Sequence, residues 1–292
     1  MTVDEFGPIR LRQFRETLIG EDLARRNVNQ TVNAVRAIFK WGVSHELVRP
    51  AILEALRAVE PLKYGKTSAR ETEPIKPVPE ALVMETLEYC SPQIAAMVRL
   101  QMLTGMRSGE VTIMRTGDLN TSGVVWEYRP QYHKTSYRGE ERVVFIGPDA
   151  QAVLKPWLRV NLQDYLFQPA EVDQWRRDQL HSQRKTPLLC GNRPGTNRAD
   201  TPRQFKPYYD TMAYRQGIDH AIAKCNKARK TRGEGPISWH PHQLRHNAAT
   251  RIRREYDIET ARVVLGHKSA AITTIYAEAD QSKAAAAIAK MG

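Results

Sequence analysis

Residues 240–246 read HPHQLRH and place three histidines and an arginine within seven positions. His242 and His246 are four apart, so on a helix they would share one face, as in the HExxH zinc proteases. That motif also needs a glutamate as general base, but the position holds Gln243, which cannot accept a proton from metal-bound water. Arg245 would add a fixed positive charge beside the cation. We therefore expect no metal here, and an anion with several oxygens, above all a phosphate, suits the cluster better.

The charge of the whole chain also points to a large anionic partner. The 292 residues include 44 Lys and Arg against 32 Asp and Glu, a net charge of +12. Such an excess attracts nucleic acid or an anionic membrane surface. The sequence contains no apolar run of about 18 residues that could span a membrane and no secretory signal in MTVDEFGPIR, so we expect a cytoplasmic protein in a bacterial cytosol or nucleoid. The odd, widely spaced cysteines Cys90, Cys190 and Cys225 favour reduced thiols over disulfides or a zinc site.

Two domains joined by a linker are predicted. Apolar residues recur every three or four positions from Val28 to Val43, which predicts an amphipathic helix, and AILEALRAVEPL predicts a second, short helix. The aperiodic run GKTSARETEPIKPVPE then supplies glycine, three prolines and charges. We expect a helical domain at 1–64, a linker at 65–79 and a larger domain at 80–292. About 64 residues are marginal for independent stability, so the first domain is expected to be truncated or to lean on its neighbour.

The larger domain is predicted to be mostly α with a small antiparallel β-sheet. Helical patterns run from about residue 79 to 104 and return from about 236, and Asp257 and Gly266 bracket a short helix. Between them, β-prone runs that end at Tyr128 and Ile146 predict an antiparallel hairpin. Residues 171–234 carry 14 Lys and Arg against 7 Asp and Glu with few regular apolar repeats. We expect a basic insertion over about 166–235, and a solvated segment and a DNA-facing one remain equal alternatives.

Four motifs form a set in which two arginines, a lysine and two histidines precede a late tyrosine. They are TGMRSGE (104–110), HKT (133–135), HQLRH (242–246) and LGH (265–267), with Tyr276 nine residues after the last histidine. In order and spacing these motifs resemble the tyrosine recombinase, or phage integrase, family. The resemblance extends from the linker to the end of the chain and, more faintly, over the amino-terminal part. It implies a helical core-binding (SAM-like) DNA-binding domain, here shorter than the family's, followed by the catalytic domain of the family.

The resemblance also implies a site-specific recombinase or integrase that cleaves and rejoins DNA without metal, ATP or any cofactor. The implied catalytic residues are Arg107, Lys134, His242, Arg245, His267 and Tyr276, supported by Glu110 and His246. Phosphodiester cleavage passes through a transition state with added negative charge, which the guanidinium groups of Arg107 and Arg245 can meet bidentately. Tyr276 would attack the phosphorus and form a 3′-phosphotyrosine, so the bond energy is retained for religation.

The other implied residues handle protons and orientation. A phenol with a pKa of about 10 needs a proton acceptor at neutral pH, which the resemblance assigns to His242. Lys134, in the hairpin loop, would protonate the departing 5′ oxygen, and His267 would hydrogen-bond the phosphate. Glu110 would orient Arg107, and His246 would be a buried support. His240 has no role in the family that we can assign, and we interpret it as structural.

Two other classes of protein remain as alternatives. A type IB topoisomerase would use a similar set of residues to relax supercoils, and a noncatalytic DNA-binding regulator would be expected to lack Tyr276 or an arginine. The expected partner is double-stranded DNA. The protein is expected to be a monomer without DNA and a homotetramer on paired sites, with DNA-bending accessory proteins as further candidate partners. The tail KAAAAIAKM at 283–291 is expected to form a helix that crosses between subunits, and a frayed end or a helix docked on its own domain remains an equal alternative. No membrane partner is expected.

Overall fold

The computed structural model describes residues 2–133, 139, 141–185, 204–267, 269, 271 and 273–274. The chain forms two compact units, Met1–Ile75 and Lys76–Gly292. Within the part of the chain that the structure describes, no helix is long and apolar enough to cross a membrane. The predicted mostly helical fold with a small antiparallel sheet is confirmed.

The first unit is built from three helices: α1 (Pro8–Gly20), α2 (Arg25–Ser44) and α3 (Pro50–Arg57). Its buried cluster consists of Leu11, Val32, Leu56 and Val59. Phe6 and Phe39 stack against this cluster with their ring centroids 5.3 Å apart. The sequence pattern predicted α2 and α3. It did not predict α1, in which only two side chains are buried and the apolar spacing is weak.

The predicted linker contains neither helix nor strand over residues 65–79, and it is bonded to a unit at each end. In the first unit, the backbone N–H of Arg25 donates to the carbonyl of Arg70 at 2.8 Å, and the Arg25 guanidinium pairs with Glu71. In the second unit, Val78 exchanges two hydrogen bonds with the side-chain amide of Asn247. Backbone groups of Arg70 and Val78 and the side chain of Glu71 therefore anchor this stretch.

The second unit is arranged around one buried helix. Within the described residues its α-helices include, in chain order, α4 (Glu80–Leu87), α5 (Pro92–Thr104), α6 (Ser108–Thr112), α7 (Pro148–Leu154), α8 (Pro169–Ser182), α9 (Thr211–Thr231), α10 (Pro241–Glu255) and α11 (Ile258–Leu265). Ten residues of α5 are buried, and the helix packs against α7 and α10. A helix that is apolar nearly all round belongs in a core, and α5 carries the TGMRSGE motif at its carboxyl end.

The predicted hairpin is present and has a third strand beside it. The strands are β1 (Leu119–Asn120), β2 (Trp126–Tyr128) and β3 (Val144–Ile146), in the antiparallel order β1-β2-β3. Tyr128 pairs with Val144, and both side chains are buried. The hydroxyl of Tyr128 donates a hydrogen bond of 2.7 Å to the carbonyl of Glu110, which fixes the sheet against α6.

Helix α9 was not predicted from the sequence, and it lies inside the segment predicted as a basic insertion. Tyr214, Ile218, Ile222 and Cys225 lie on one face of α9 and are buried in the main core. The hydroxyl of Tyr214 also donates to Gln101 Oε1 of α5 at 2.7 Å. This part of the segment therefore forms core rather than an insertion. Its many lysines and arginines occupy the exposed face and make the helical spacing of the apolar residues hard to recognise in the sequence.

Candidate active site

The turn between α5 and α6 places Arg107. Helix α5 ends at Gly105, whose φ of 67° lies in the left-handed region that glycine adopts without steric cost. A Cβ on Gly105 would also come within 2.6 Å of the Leu265 side chain, so α5 and α11 approach closely here. Arg107 then takes the N-cap position of α6, and its own side chain is partly exposed.

Glu110 accepts two hydrogen bonds from Arg107. Its Oε2 accepts a hydrogen bond from the Arg107 backbone N–H at 2.9 Å, and its Oε1 accepts from Arg107 Nη1 at 2.7 Å. Glu110 is almost fully buried, which acts to raise its pKa, but the charges of Arg142 and Arg107 outweigh burial and leave the pKa below its usual value. A buried glutamate thus stays ionised and fixes the direction of the guanidinium.

Arg245 is fully buried and donates hydrogen bonds to carbonyl groups at the carboxyl ends of two helices, α5 and α11. Its Nη1 donates to the carbonyl of Gly105 at 2.7 Å, and its Nη2 donates to the carbonyl of Leu265 at 2.6 Å. The same Nη2 lies 2.8 Å from His267 Nε2. Carbonyls at the carboxyl end of a helix lack partners within the helix and carry partial negative charge, so a buried cation is stable there.

The contacts of His267 define its protonation state. An arginine can only donate, so His267 Nε2 must be the acceptor and the ring hydrogen lies on Nδ1. Nδ1 lies 3.1 Å from the hydroxyl of Thr273, to which it can donate. Burial, followed by the charges of Arg245, Arg107 and Arg142, lowers the pKa of His267 to about 3. The ring is therefore neutral at physiological pH and orients Arg245.

The histidines of α10 lie in a row along the start of the helix. The rings of His242 and His246 meet edge to face with centroids 5.4 Å apart; His246 is buried and His242 is exposed. Desolvation on its protein side, followed by His246 and Arg245, lowers the pKa of His242 to about 4. His242 is consequently neutral at pH 7 and able to accept a proton.

The remaining residues at this end of α10 act as a helix cap. His240 is the N-cap residue, and its backbone N–H donates to Gln243 Oε1 at 3.0 Å. Gln243 Nε2 donates in turn to the carbonyl of Lys76 at 2.9 Å. Gln243, which distinguishes the motif from HExxH, therefore has a structural role, and the structural interpretation of His240 agrees with its position.

One buried arginine of the site, Arg142, was not predicted from the sequence. Its side chain is 4% exposed and its Nε lies 3.5 Å from Glu110 Oε1. Arg142, Val144 and Ile146 alternate along the strand direction and are all buried, whereas Phe145 is exposed. This alternation in the sequence indicates that Arg142 faces inward. A buried arginine on the inward face of a strand needs a buried anion beside it.

The structure brings together the predicted residues Arg107, Glu110, Arg245 and His267, with His242 and His246 near them on α10. Lys134 and Tyr276 lie outside the described residues. Among the residues that are described, no group of three or more His, Cys, Asp or Glu could hold a metal ion. What the site offers is fixed guanidinium groups beside neutral histidines, an arrangement that can bind and polarise a phosphoryl group.

Comparison with known proteins identifies the fold. The sequence profile described as the phage integrase family matches residues 80–283. No curated protein sequence matches the chain significantly. Among solved structures, the Tn1549 transposon integrase in complex with circular intermediate DNA superimposes with a TM-score of 0.61 at 15% identity, covering 99% of this chain and 86% of that one.

Two further solved structures have the same fold. The XerH site-specific recombinase bound to its difH substrate gives a TM-score of 0.54 at 16% identity, with 97% of this chain and 70% of that chain covered. A lambda integrase dimer bound to a COC′ core site gives 0.54 at 13% identity, with coverage of 94% and 65%. At these identities the likeness concerns the fold.

Proposed function

The chain belongs to the phage integrase family, and on that premise we propose that it is a site-specific DNA recombinase that works through a covalent 3′-phosphotyrosine intermediate. The observation that carries the proposal is the placement of two arginines, Arg107 and Arg245, each held by hydrogen bonds to the protein beside the neutral ring of His267. Preorganised cations of this kind stabilise developing charge without having to reorganise during the reaction.

In the proposed mechanism, Tyr276 is the nucleophile and the two arginines bind the nonbridging oxygens of the scissile phosphate. The phenolic proton passes to His242, whose low pKa keeps it unprotonated at neutral pH. The tyrosine oxygen forms a bond to phosphorus while the bond to the 5′ oxygen breaks, and Lys134 supplies a proton to that leaving oxygen. Attack by a 5′ hydroxyl reverses these transfers, so neither ATP nor a metal ion is needed.

The supporting residues have distinct tasks in this proposal. Glu110 orients Arg107, and His267 orients Arg245 through the contact at Nε2. His246 packs edge-on against His242 and limits the positions of its ring. Donation from His267 to the phosphate, which the family resemblance implies, would require the ring to exchange its present partners, because its single N–H faces Thr273.

Double-stranded DNA is the proposed partner. The net charge of +12 supports it, and the solved integrase and recombinase neighbours are described as DNA complexes. We further propose a monomer in the absence of DNA and a homotetramer on paired sites, with residues 283–291 crossing between subunits. The proposed domain division is a core-binding domain at 1–64, a linker at 65–79 and a catalytic domain at 80–292.

A nicked suicide duplex tests the chemistry. Cleavage releases a short fragment that carries the 5′ hydroxyl, and its loss prevents religation and traps the covalent protein–DNA adduct. The duplexes are made from the DNA that flanks the gene. We expect the wild-type protein to form an adduct that survives denaturation and forms equally in EDTA. Tyr276→Phe should bind the duplex without forming the adduct, whereas Tyr64→Phe, a change at an exposed tyrosine of the first unit, should react normally.

Other results of the suicide-duplex experiment would favour a different nucleophile or a different class of protein. An adduct that persists in Tyr276→Phe would contradict the assignment of the nucleophile. Activity that requires magnesium would indicate a metallonuclease, and relaxation of supercoiled plasmid without regard to sequence would indicate a topoisomerase. DNA binding with no adduct on any flanking duplex would favour a noncatalytic regulator.

A further inference from the structure

We propose that Arg142 is a positioning residue of this site, which acts on Arg107 through the shared carboxylate of Glu110. The proposal rests on the proposed function, because it assigns Arg107 to the scissile phosphate. Arg142 belongs to none of the four motifs, and it lies in the second unit just before β3.

One carboxylate oxygen serves both arginines. Glu110 Oε1 accepts the 2.7 Å hydrogen bond from Arg107 Nη1 and lies 3.5 Å from Arg142 Nε. A buried carboxylate with a single cationic partner would be free to turn toward that partner or to take up a proton. With Arg142 on its other side, the carboxylate stays charged and its orientation is fixed. The direction of Arg107 then follows from its two bonds to Glu110.

Arg142 is itself anchored from α11. Its Nη1 donates to the carbonyl of Val264 at 3.0 Å and to that of Val143 at 3.0 Å. The guanidinium lies against Gly266, where a Cβ would come within 2.6 Å of Nη1. The carboxyl end of α11 therefore holds Arg142 in place, and the glycine of the LGH motif makes room for it.

Stability alone does not account for an arginine at this position. Its Nε and Nη2 are buried and make no hydrogen bond within the described structure. Burial lowers the pKa of Arg142 by more than the charge of Glu110 raises it, so burial disfavours the charged guanidinium. An apolar side chain would avoid the cost of burying these donors, which native proteins seldom leave without partners. A charge retained against that cost is typical of a functional constraint, and the group it faces is Glu110.

The test measures Arg142 and Glu110 together in a double-mutant cycle. Arg142→Met, Glu110→Gln and the double variant are compared with wild type in two assays: the single-turnover rate of adduct formation on the suicide duplex, and the free energy of unfolding in urea. We expect Arg142→Met to slow adduct formation by about 10- to 100-fold, as is usual for a partner that orients a catalytic group. In the Glu110→Gln background the same change should slow it by less than about threefold, since contacting residues that act as a unit are not additive.

Two further variants separate positioning from packing. Arg142→Lys keeps the charge beside Glu110 but not the guanidinium bonds to Val264 and should recover part of the rate. Arg159→Met removes another arginine of the same unit that is held by a glutamate, Glu171, and a backbone carbonyl. It should lower stability while leaving the rate of adduct formation near that of wild type.

Equal effects of Arg142→Met in both backgrounds would overturn the proposal, as would a wild-type rate in Arg142→Met. If the wild-type protein forms no adduct, the proposed function fails, and the urea cycle still decides whether Arg142 acts through Glu110. Coupling between the two residues in unfolding supports the contact, whereas additive losses contradict it. A poorly folded Arg142→Met leaves Arg142→Lys to make the same comparison in both backgrounds.

Discussion

Arg245 donates a hydrogen bond of 2.7 Å from Nη1 to the carbonyl oxygen of Gly105, across 140 residues of sequence. Its other terminal nitrogen donates to Leu265, the last residue of α11. The arginine of HQLRH thus joins the glycine of TGMRSGE to the leucine of LGH. Three motifs that are far apart in the sequence meet at one guanidinium, so the geometry of the candidate site and the packing of three helix ends depend on the same side chain.

Arg245→Lys should therefore fail both structurally and chemically, although it keeps the charge. One ammonium group cannot reproduce a planar guanidinium that bonds two carbonyls and His267. We expect a loss of about 1–3 kcal/mol in the free energy of unfolding, from buried carbonyls left unsatisfied. Adduct formation should slow by about 100-fold or more. Urea unfolding and the suicide duplex measure these effects, with Arg254→Lys on the exposed face of α10 as control. Wild-type stability in Arg245→Lys would contradict this account of the site.

Alanine variants at two glycines distinguish the cost of backbone strain from the cost of displacing Arg142. Gly233 and Gly266 have φ values of 75° and 63°, so an alanine at either position adopts a disfavoured left-handed conformation at a cost of about 1 kcal/mol. A Cβ at Gly233 meets nothing within 4 Å, whereas at Gly266 it would displace the Arg142 guanidinium. Urea unfolding should show a larger loss for Gly266→Ala than for Gly233→Ala, and only Gly266→Ala should slow adduct formation. Equal losses in the free energy of unfolding would mean that the contact between Gly266 and Arg142 does not contribute to stability.

The sequence predicted those parts of the site that are encoded locally. The family resemblance implied that Glu110 orients Arg107, which lies three positions before it, and the structure has the two side chains hydrogen-bonded. Asp257 and Gly266 were expected at the ends of a short helix, and they are the N-cap and C-cap of α11. In each case the determining contact spans only a few residues, so spacing and residue type suffice.

Contacts between distant parts of the chain could not be predicted in this way. The bond from Arg245 to Gly105 depends on how α5 and α10 pack, and no spacing rule contains that information. The alternation with Val144 and Ile146 placed Arg142 among the inward-facing residues, but it was overlooked because an arginine next to a strand ordinarily faces solvent. Only the burial of Glu110, seen in the folded chain, shows why a cation is stable there.

The low pKa of His267 predicts how stability depends on pH. The folded-state pKa is about 3, compared with about 6.5 for an unperturbed histidine. Above pH 6.5 both the folded and the unfolded states carry a neutral ring. As the pH falls below 6.5, the unfolded state takes up a proton that the folded state does not, so the free energy of unfolding decreases down to about pH 3. His242, with a pKa of about 4, acts in the same direction.

Thermal unfolding between pH 7.5 and pH 4.5 measures this effect. The midpoint of the wild-type protein should fall as the solution becomes more acidic. His267→Gln lacks the titrating group and should show a shallower fall, although it is less stable at pH 7. The same slope in both proteins would show that His267 does not contribute to the pH dependence.

Gln243 offers a test of whether the start of α10 is a cap or a latent zinc site. Gln243→Ala removes the acceptor for the His240 N–H and the donor to the Lys76 carbonyl, and should lower the free energy of unfolding by about 1 kcal/mol. Gln243→Glu keeps the acceptor and adds a negative charge near the positive end of the helix dipole, which should offset the lost donor. Its stability should therefore lie close to that of wild type.

Gln243→Glu also completes the spacing of an HExxH motif, so added zinc chloride distinguishes the two interpretations. We expect no zinc-dependent rise in the melting temperature, because His246 is buried and Arg245 places a fixed cation within the same turn. Calorimetric titration with zinc, using His242→Ala combined with Gln243→Glu as control, checks the same point directly. Stoichiometric zinc binding that requires His242 would show that Arg245 does not keep a metal out of this site.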